Sequence, residues 1–441
     1  MCTMDKFRFY GILTNEKDGE RMATEIQEYT DERERAFLVS VDTGDFDVEV
    51  SLDELEELAD TAGADTLGRL VQKREAPDKA TCLGGGRLEE LAELVEANEA
   101  DLVIFDRELS PTQHRNLEDR LPCRVIDRTM LILDIFAARA RSAEGRLQVE
   151  LAQLQYMLPR LAGQGTALSR LGGGIGTRGP GETKLESDKR HIRRRIQALK
   201  QQLQAVEQQR ALRRERRKKD SVQTVAIVGY TNAGKSTLMN RLTAAGVLAE
   251  DKLFATLDTT SRALKLPDGR TVLLIDTVGL VRRLPHHLVD AFRSTLEEAA
   301  EADVILNLCD ISSPEAAEHL AVTRDLLLQL GRGDRPVLTV FNKCDRPAAL
   351  PALEPDGNAP LCISAITGRG IEQLLERVAA ALPPDRRRVS LLFPFDKGAL
   401  AGLCRREGAV EAEEYVPEGL KMTVTLSLRI LEQVREYLIE S

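Results

Sequence analysis

The sequence predicts an α/β chain in four parts, and three observations predict it. Short apolar runs alternate with helical stretches from about Phe7 to Asp134, the pattern of a small, mostly parallel sheet covered by helices. Two apolar seams at three- and four-residue spacing flank a glycine-rich stretch between 142 and 220, which reads as a long antiparallel helical hairpin. A second strand–helix series opens at Thr224–Val228 and runs directly into Gly229-x-x-x-x-Gly234-Lys235-Ser236, a loop chemistry suited to phosphates. The expected parts are an N-terminal α/β domain at 1–141, the hairpin at 142–220, a phosphate-loop domain at 221–384 and a small α+β domain at 385–441.

Within the first part, Ala36–Val41 and Leu102–Phe105 read as buried strands. Leu52–Ala62 and Arg87–Asn98 read as helices, the second after a Gly84-Gly85-Gly86 turn. In the hairpin, Leu147, Leu151, Leu154, Leu158 and Leu161 form one seam; Leu185, Ile192, Ile196, Leu199, Leu203 and Val206 form the other. The stretch Gly163–Gly181 between them holds eight glycines in 19 residues, and loops of that length are usually functional or disordered. Pro383-Pro384 closes the third part. The last part carries strand-like Ser390–Phe395, Glu411–Val416 and Met422–Leu428, with helical patterns at Lys397–Glu407 and Arg429–Ile439.

The chain has 441 residues, and at roughly 150 residues per domain that length suits about three domains. Its 42% hydrophobic and 30% charged content fits a soluble globular protein. The seven cysteines include no Cys-x-x-Cys pair and no zinc-spaced Cys/His cluster, so they read as reduced thiols. No apolar run approaches the ~20 residues of a membrane span. A cytoplasmic monomer is expected, with a peripheral membrane association left open. The net charge of −10 hides a local reversal: Glu182–Asp220 carries 14 Lys/Arg against six Asp/Glu, a net of +8. Such asymmetry points to an anionic partner, or else to a solvated helix face.

The third part holds four motifs in order. Gly229, Tyr230, Thr231, Asn232, Ala233, Gly234, Lys235, Ser236 and Thr237 form a phosphate loop whose backbone N–H groups and helix N-terminus favour negative charge. Lys235 is placed to bridge the β- and γ-phosphates, and Ser236 to ligate Mg²⁺. The strand Leu273–Asp276 ends in Asp276-Thr277-Val278-Gly279, with Asp276 placed to hold Mg²⁺ through water and Gly279 to offer an N–H to the γ-phosphate. Asn342-Lys343-Cys344-Asp345 follows the strand Val337–Phe341. Asp345 can accept from guanine N1–H and N2–H₂ together; adenine lacks both donors, so the carboxylate discriminates strongly. Asn342 ties the base loop to the phosphate loop, the Lys343 stem covers the base, and Ser364-Ala365 supplies an N–H for guanine O6. A switch threonine is expected among Thr256, Thr259 and Thr260, with Thr256 favoured as the second Mg²⁺ ligand. Lys235, Thr256 and Gly279 are then the catalytic set, on GTP or GDP with Mg²⁺. The residue after Gly279 is Leu280, where many GTPases carry a water-orienting glutamine. Slow intrinsic hydrolysis follows, completed when a partner orders the switch loops.

Several strings resemble the HflX family of GTPases: Phe105–Pro111, Asp127–Thr129 with Leu131–Phe136, Leu147–Gln153, Leu171–Glu182 and Leu284–Glu298. The resemblance spans roughly residues 30–382. It implies a P-loop GTPase domain that binds the 50S ribosomal subunit, GTP hydrolysis stimulated by ribosomes, and splitting of stalled 70S ribosomes under stress. It also implies an N-terminal domain reaching towards the peptidyl-transferase region. The chain departs from the family where a Gly-Lys-Gly-Lys-like turn is frequent: here it reads Gly84-Gly85-Gly86-Arg87. With the basic helix, the resemblance makes Arg170, Arg178, Arg193, Arg194 and Arg195 candidate contacts to rRNA phosphate. The other reading is a switch acting on a protein effector.

Overall fold

The computed structural model describes residues 33–161, 180–219, 222–243, 253–254, 260–283, 293–331, 335–346, 360–384 and 386–439. The chain divides into two compact units, one spanning 1–202 with 252–254 and 284–291, the other 203–251, 255–283 and 292–441.

The first unit is built on a parallel sheet in the order β2-β1-β3-β4: β1 Glu34–Asp42, β2 Ala64–Lys73, β3 Leu102–Phe105 and β4 Arg124–Asp127. β1 and β3 are near-continuous apolar runs because helices cover a parallel sheet on both faces. The helices are α1 Val48–Ala62, α2 Gly85–Ala97, α3 Pro111–Glu118, α4 Arg128–Arg139, α5 Ala143–Arg160 and α6 Pro180–Lys219, the last crossing into the second unit. Asp47 caps α1 by accepting from Glu49 and Val50, and Gly63 ends it at φ 89°, a left-handed turn that glycine adopts without strain. The glycine turn opens α2: Gly84 is its N-cap, and the Gly84 N–H donates to Gln72 Oε1 at 2.8 Å. At the carboxyl ends of β3 and β4, Arg128 is buried between Asp106, at 2.8 Å, and Glu54. Tyr156 of α5 donates to Asp127 beneath the Arg160 guanidinium.

In α6, Ile192 and Leu199 are buried, one heptad apart, whereas Arg193 and Arg194 are exposed. Arg195 is exposed too, but it makes a two-pronged ion pair with Glu150 of α5, at 2.6 and 2.8 Å. Arg170 and Arg178 lie outside the described residues.

The second unit carries a six-stranded sheet, β10-β9-β8-β5-β7-β6, parallel except for β6. Its strands are β5 Thr224–Gly229, β6 Thr260–Lys265, β7 Thr271–Asp276, β8 Val304–Asp310, β9 Val337–Asn342 and β10 Leu361–Cys362. Its helices are α7 Lys235–Thr243, α8 Arg293–Ala300, α9 Ala316–Gln329 and α10 Ile371–Ala381. From β5 the chain builds β6 and β7 on one side and then crosses to β8 on the other. That reversal of strand order opens a crevice at the carboxyl ends of the strands. A three-stranded antiparallel sheet follows, order β11-β13-β12, from β11 Arg386–Phe393, β12 Ala409–Val416 and β13 Gly419–Ser427. It is packed by α11 Gly398–Glu407 and α12 Leu428–Gln433, which is shorter than the helix expected to Ile439 and gives way to a 3₁₀ turn at Arg435–Tyr437.

Candidate nucleotide site

All four motifs sit at the carboxyl edge of the six-stranded sheet, at the ends of β5, β7, β9 and β10. β5 delivers Gly229 so close to β8 that a side chain there would strike the Leu308 carbonyl. Gly234 stands at φ 91°, where a side chain would meet Asn342. Glycine is required at both points by contact, not by habit. The loop then enters α7, and the N-terminus of a helix favours negative charge.

Lys235 is buried at 6% exposure and donates to the carbonyls of Gly229 at 3.1 Å and Tyr230 at 2.8 Å. Burial pulls its ammonium down to about 8, against the opposing pull of the Asp276 carboxylate. Asp276 is fully buried, and its Oδ2 accepts from the Ser236 hydroxyl at 3.0 Å. A hydroxyl and a carboxylate side by side next to a phosphate-loop lysine form a hard-oxygen pair of the kind Mg²⁺ prefers. Thr277 turns its hydroxyl back to the Ile227 carbonyl at 2.8 Å, and Val278 is buried; both shape the strand end. Asn232, exposed at φ 59°, and half-buried Thr237 flank the loop. Thr231 is buried and its N–H donates to the Leu280 carbonyl at 2.7 Å.

Asn342 does what its position in the motif implies. Its Nδ2 donates to the Ala233 carbonyl at 2.9 Å, and its Oδ1 accepts from the Ala365 N–H at 2.9 Å. One buried amide thus joins the phosphate loop to both base loops. Lys343, at φ 62°, pairs with Asp310 at 2.7 Å, which fixes the course of its stem. Asp345 is exposed, and the Ser364 hydroxyl holds its carboxyl below the usual range. Thr256 and Thr259 lie outside the described residues. Thr260 heads β6 in register with Asp276. Leu280 is buried at 4% exposure, so no water-orienting side chain stands at that position.

The residues that sequence reasoning passed over are Arg282, Glu315, Glu318 and His319, packed behind Tyr230. No local pattern marks them, because the contact is made across 89 residues of chain and depends on the fold.

Three family models match in succession: a GTP-binding GTPase N-terminal region at 49–137, a GTP-binding GTPase middle region at 139–217, and a 50S ribosome-binding GTPase at 224–343. The GTPase HflX of Caldanaerobacter subterraneus subsp. tengcongensis is 50% identical over 414 residues, covering 94% of this chain and 96% of that one. The chain belongs to the HflX family of GTPases. The GTPase HflX of Escherichia coli strain K12 is 43% identical, covering 91% of this chain and 94% of that one. Among solved structures, a GTP-binding protein from Sulfolobus solfataricus in complex with GDP aligns over 79% of this chain and 98% of that one, at 23% identity and a TM-score of 0.42. As a member of the family, the chain binds guanine nucleotide and hydrolyses GTP. Among the described residues no helix is long and apolar enough to cross a membrane.

Proposed function

We propose that this HflX-family GTPase binds the large ribosomal subunit in its GTP form, separates stalled 70S ribosomes, and is released by hydrolysis. The observation that carries the reading is the pairing of a nucleotide crevice, with phosphate loop, Asp276 and base loops drawn to one sheet edge, with a +8 helical segment whose Arg193 and Arg194 stand free of the ion pair that Arg195 makes with Glu150. Cations so placed neutralise RNA phosphates with little sequence preference. The match of residues 224–343 to a model described as a 50S ribosome-binding GTPase supports the same partner.

At the nucleotide, Lys235 neutralises the β- and γ-phosphate oxygens, and the loop's N–H groups from Asn232 to Thr237 orient them. Ser236, with Thr256 from the switch loop, would hold Mg²⁺, and Asp276 beside Ser236 would add a carboxylate to the hard-oxygen set. When bound, the metal neutralises developing charge on the phosphates. Asp345 reads the guanine edge, with Ser364 orienting the carboxylate and Ala365 offering its N–H. Buried Leu280 leaves the attacking water unoriented, so the free protein turns over slowly and a partner completes the site.

Co-sedimentation with ribosomes in GTP, GDP and a non-hydrolysable analogue, at two salt concentrations, tests this. Binding should be GTP-dependent and salt-sensitive. Replacing Arg193 and Arg194 together with alanine should weaken it about 10-fold or more and flatten the salt slope, whereas Arg195→Ala should cost less, because Arg195 already has a partner. No binding in any nucleotide state would overturn the proposal in favour of a protein effector.

A further inference from the structure

The second residue of the phosphate loop is held by side chains that no motif contains. Tyr230 is 5% exposed, and its ring stacks on the His319 imidazole of α9, with centroids 3.7 Å apart and planes at 11°. Its phenol oxygen accepts a hydrogen bond from the backbone N–H of Arg282. The Arg282 guanidinium, 8% exposed, is clamped by Glu315 at 2.7 Å and Glu318 at 2.8 Å at the start of α9. Burial, reinforced by neighbouring Arg282, holds His319 down at about 4, so the stacked ring is neutral at physiological pH. The segment between these anchors is Gly279–Leu280. Leu280 accepts from Thr231 at 2.7 Å and donates to the Gly229 carbonyl at 3.2 Å, extending the β5–β7 ladder past the motif itself. That ladder seats Gly279 against Thr231 and so close to Lys235 that a Cβ on Gly279 would lie 3.3 Å from Nζ.

We propose that Arg282 and His319, acting through Tyr230, are positioning residues that hold the Gly279 N–H beside the Lys235 ammonium, so that both groups converge on the γ-phosphate. This rests on the reading of Lys235 and Gly279 as γ-phosphate contacts. The arrangement has a specific consequence. GDP has no γ-phosphate, so the position of Gly279 does not affect its binding. The anchor therefore acts on the triphosphate alone, and it sets the preference for GTP over GDP rather than nucleotide affinity in general. Preorganisation of this kind contributes because the donor need not be ordered when the ligand arrives.

The full chain with Mg²⁺ tests it, using fluorescent GDP, a fluorescent non-hydrolysable GTP analogue and single-turnover hydrolysis. Tyr230→Phe keeps the stacked ring and removes only the accepting oxygen. Arg282→Ala removes the clamp, and Arg282→Lys restores one ion pair. The first two variants should lose about 3- to 10-fold in affinity for the GTP analogue, the range for one hydrogen bond. GDP affinity should hold within about twofold, the single-turnover rate should fall in the same order, and Arg282→Lys should recover part of the loss. An equal loss for both nucleotides, or an unmoved GTP-to-GDP ratio, would overturn the assignment. Should Arg282→Ala fail to fold, Tyr230→Phe and Arg282→Lys still decide. Gly279→Ala separates the two layers. If it spares GTP-analogue binding, the underlying reading of Gly279 fails; if it weakens that binding while Tyr230→Phe does not, only the positioning role fails.

Discussion

Lys235 carries its charge into a place that water barely reaches, and the result is an ammonium that titrates near 8 before any phosphate arrives. Phosphate favours the charged form, so the bound state holds its proton to higher pH than the free state. The sign follows by linkage. Below about pH 8 both states are protonated and affinity is flat; above it the free protein must take up a proton to bind, and the dissociation constant rises by up to about tenfold per pH unit. A fluorescent-GDP titration from about pH 7 to about pH 9 checks this, and Lys235→Arg is the control. Arginine stays charged throughout, so its weaker binding should lose the alkaline slope. A wild-type affinity that does not fall above pH 8 would mean that phosphate meets an already fully charged lysine. At this scale much of the site was legible. Asn342 bridges the loops as its motif position suggested, and Ser236 meets Asp276 across 40 residues of chain. Arg195 shows where reading stops: it looked like its two neighbours until the fold set Glu150 opposite it. Charge in a sequence has no partner until packing supplies one.

Elements were legible where a strand is buried on both faces and obscure where it lies at an edge. β3, β5, β7 and β9 are apolar runs and declare themselves. β2 does not, since it is an edge strand with Gly68 and Arg69 in mid-run and many half-buried positions; β4 is the other edge strand, and its four residues begin with Arg124 and end with Asp127. The hairpin seam was read too narrowly in α5. Leu151 and Leu154 are buried, but so are Gln148, Val149, Ala152, Gln153 and Tyr156, because α5 packs on both α3 and α4. Periodicity finds one contact face and underestimates a helix with several neighbours. In α6 the opposite holds. Among the described side chains of α6, Ile192 and Leu199 are the buried ones, in a helix rich in charge and glutamine. Leu199→Ala should therefore destabilise its unit by about 2–4 kcal/mol, whereas Leu212→Ala, at a 60% exposed position, should stay within about 0.5 kcal/mol. Urea unfolding followed together with amide exchange along α6 measures both. Equal effects at the two positions would show that the helix is held by its charges and not by these leucines.

The C-terminal sheet shares a compact unit with the nucleotide-binding sheet, yet the two do not share a core. The cluster that buries Leu238, Leu306 and Val340 ends at Leu382, while Leu391, Phe393, Cys404, Met422, Val424, Leu426 and Ile430 close a separate one. The seam between them is sealed from the nucleotide side. Gln223 donates to the Pro383 carbonyl at 2.6 Å, and Arg270 reaches the carbonyls of Ala379 and Pro383. All those partners precede β11. Among the described residues, removing everything after Pro384 therefore strips no side chain from the nucleotide crevice and leaves the cluster around Leu238, Leu306 and Val340 intact. Effects at sites without shared partners are close to additive, so a chain ending at Pro384 should fold, bind GDP and the GTP analogue within about twofold of the full chain, and keep its alkaline slope. Affinity measurements on the truncated protein, with thermal unfolding in saturating GDP, check this. A loss of more than about tenfold, or loss of the GDP-dependent rise in unfolding temperature, would mean that the appendage supports the crevice through backbone placement rather than through contact. If affinity survives, whatever the C-terminal sheet contributes must act after nucleotide binding, on a partner or on release.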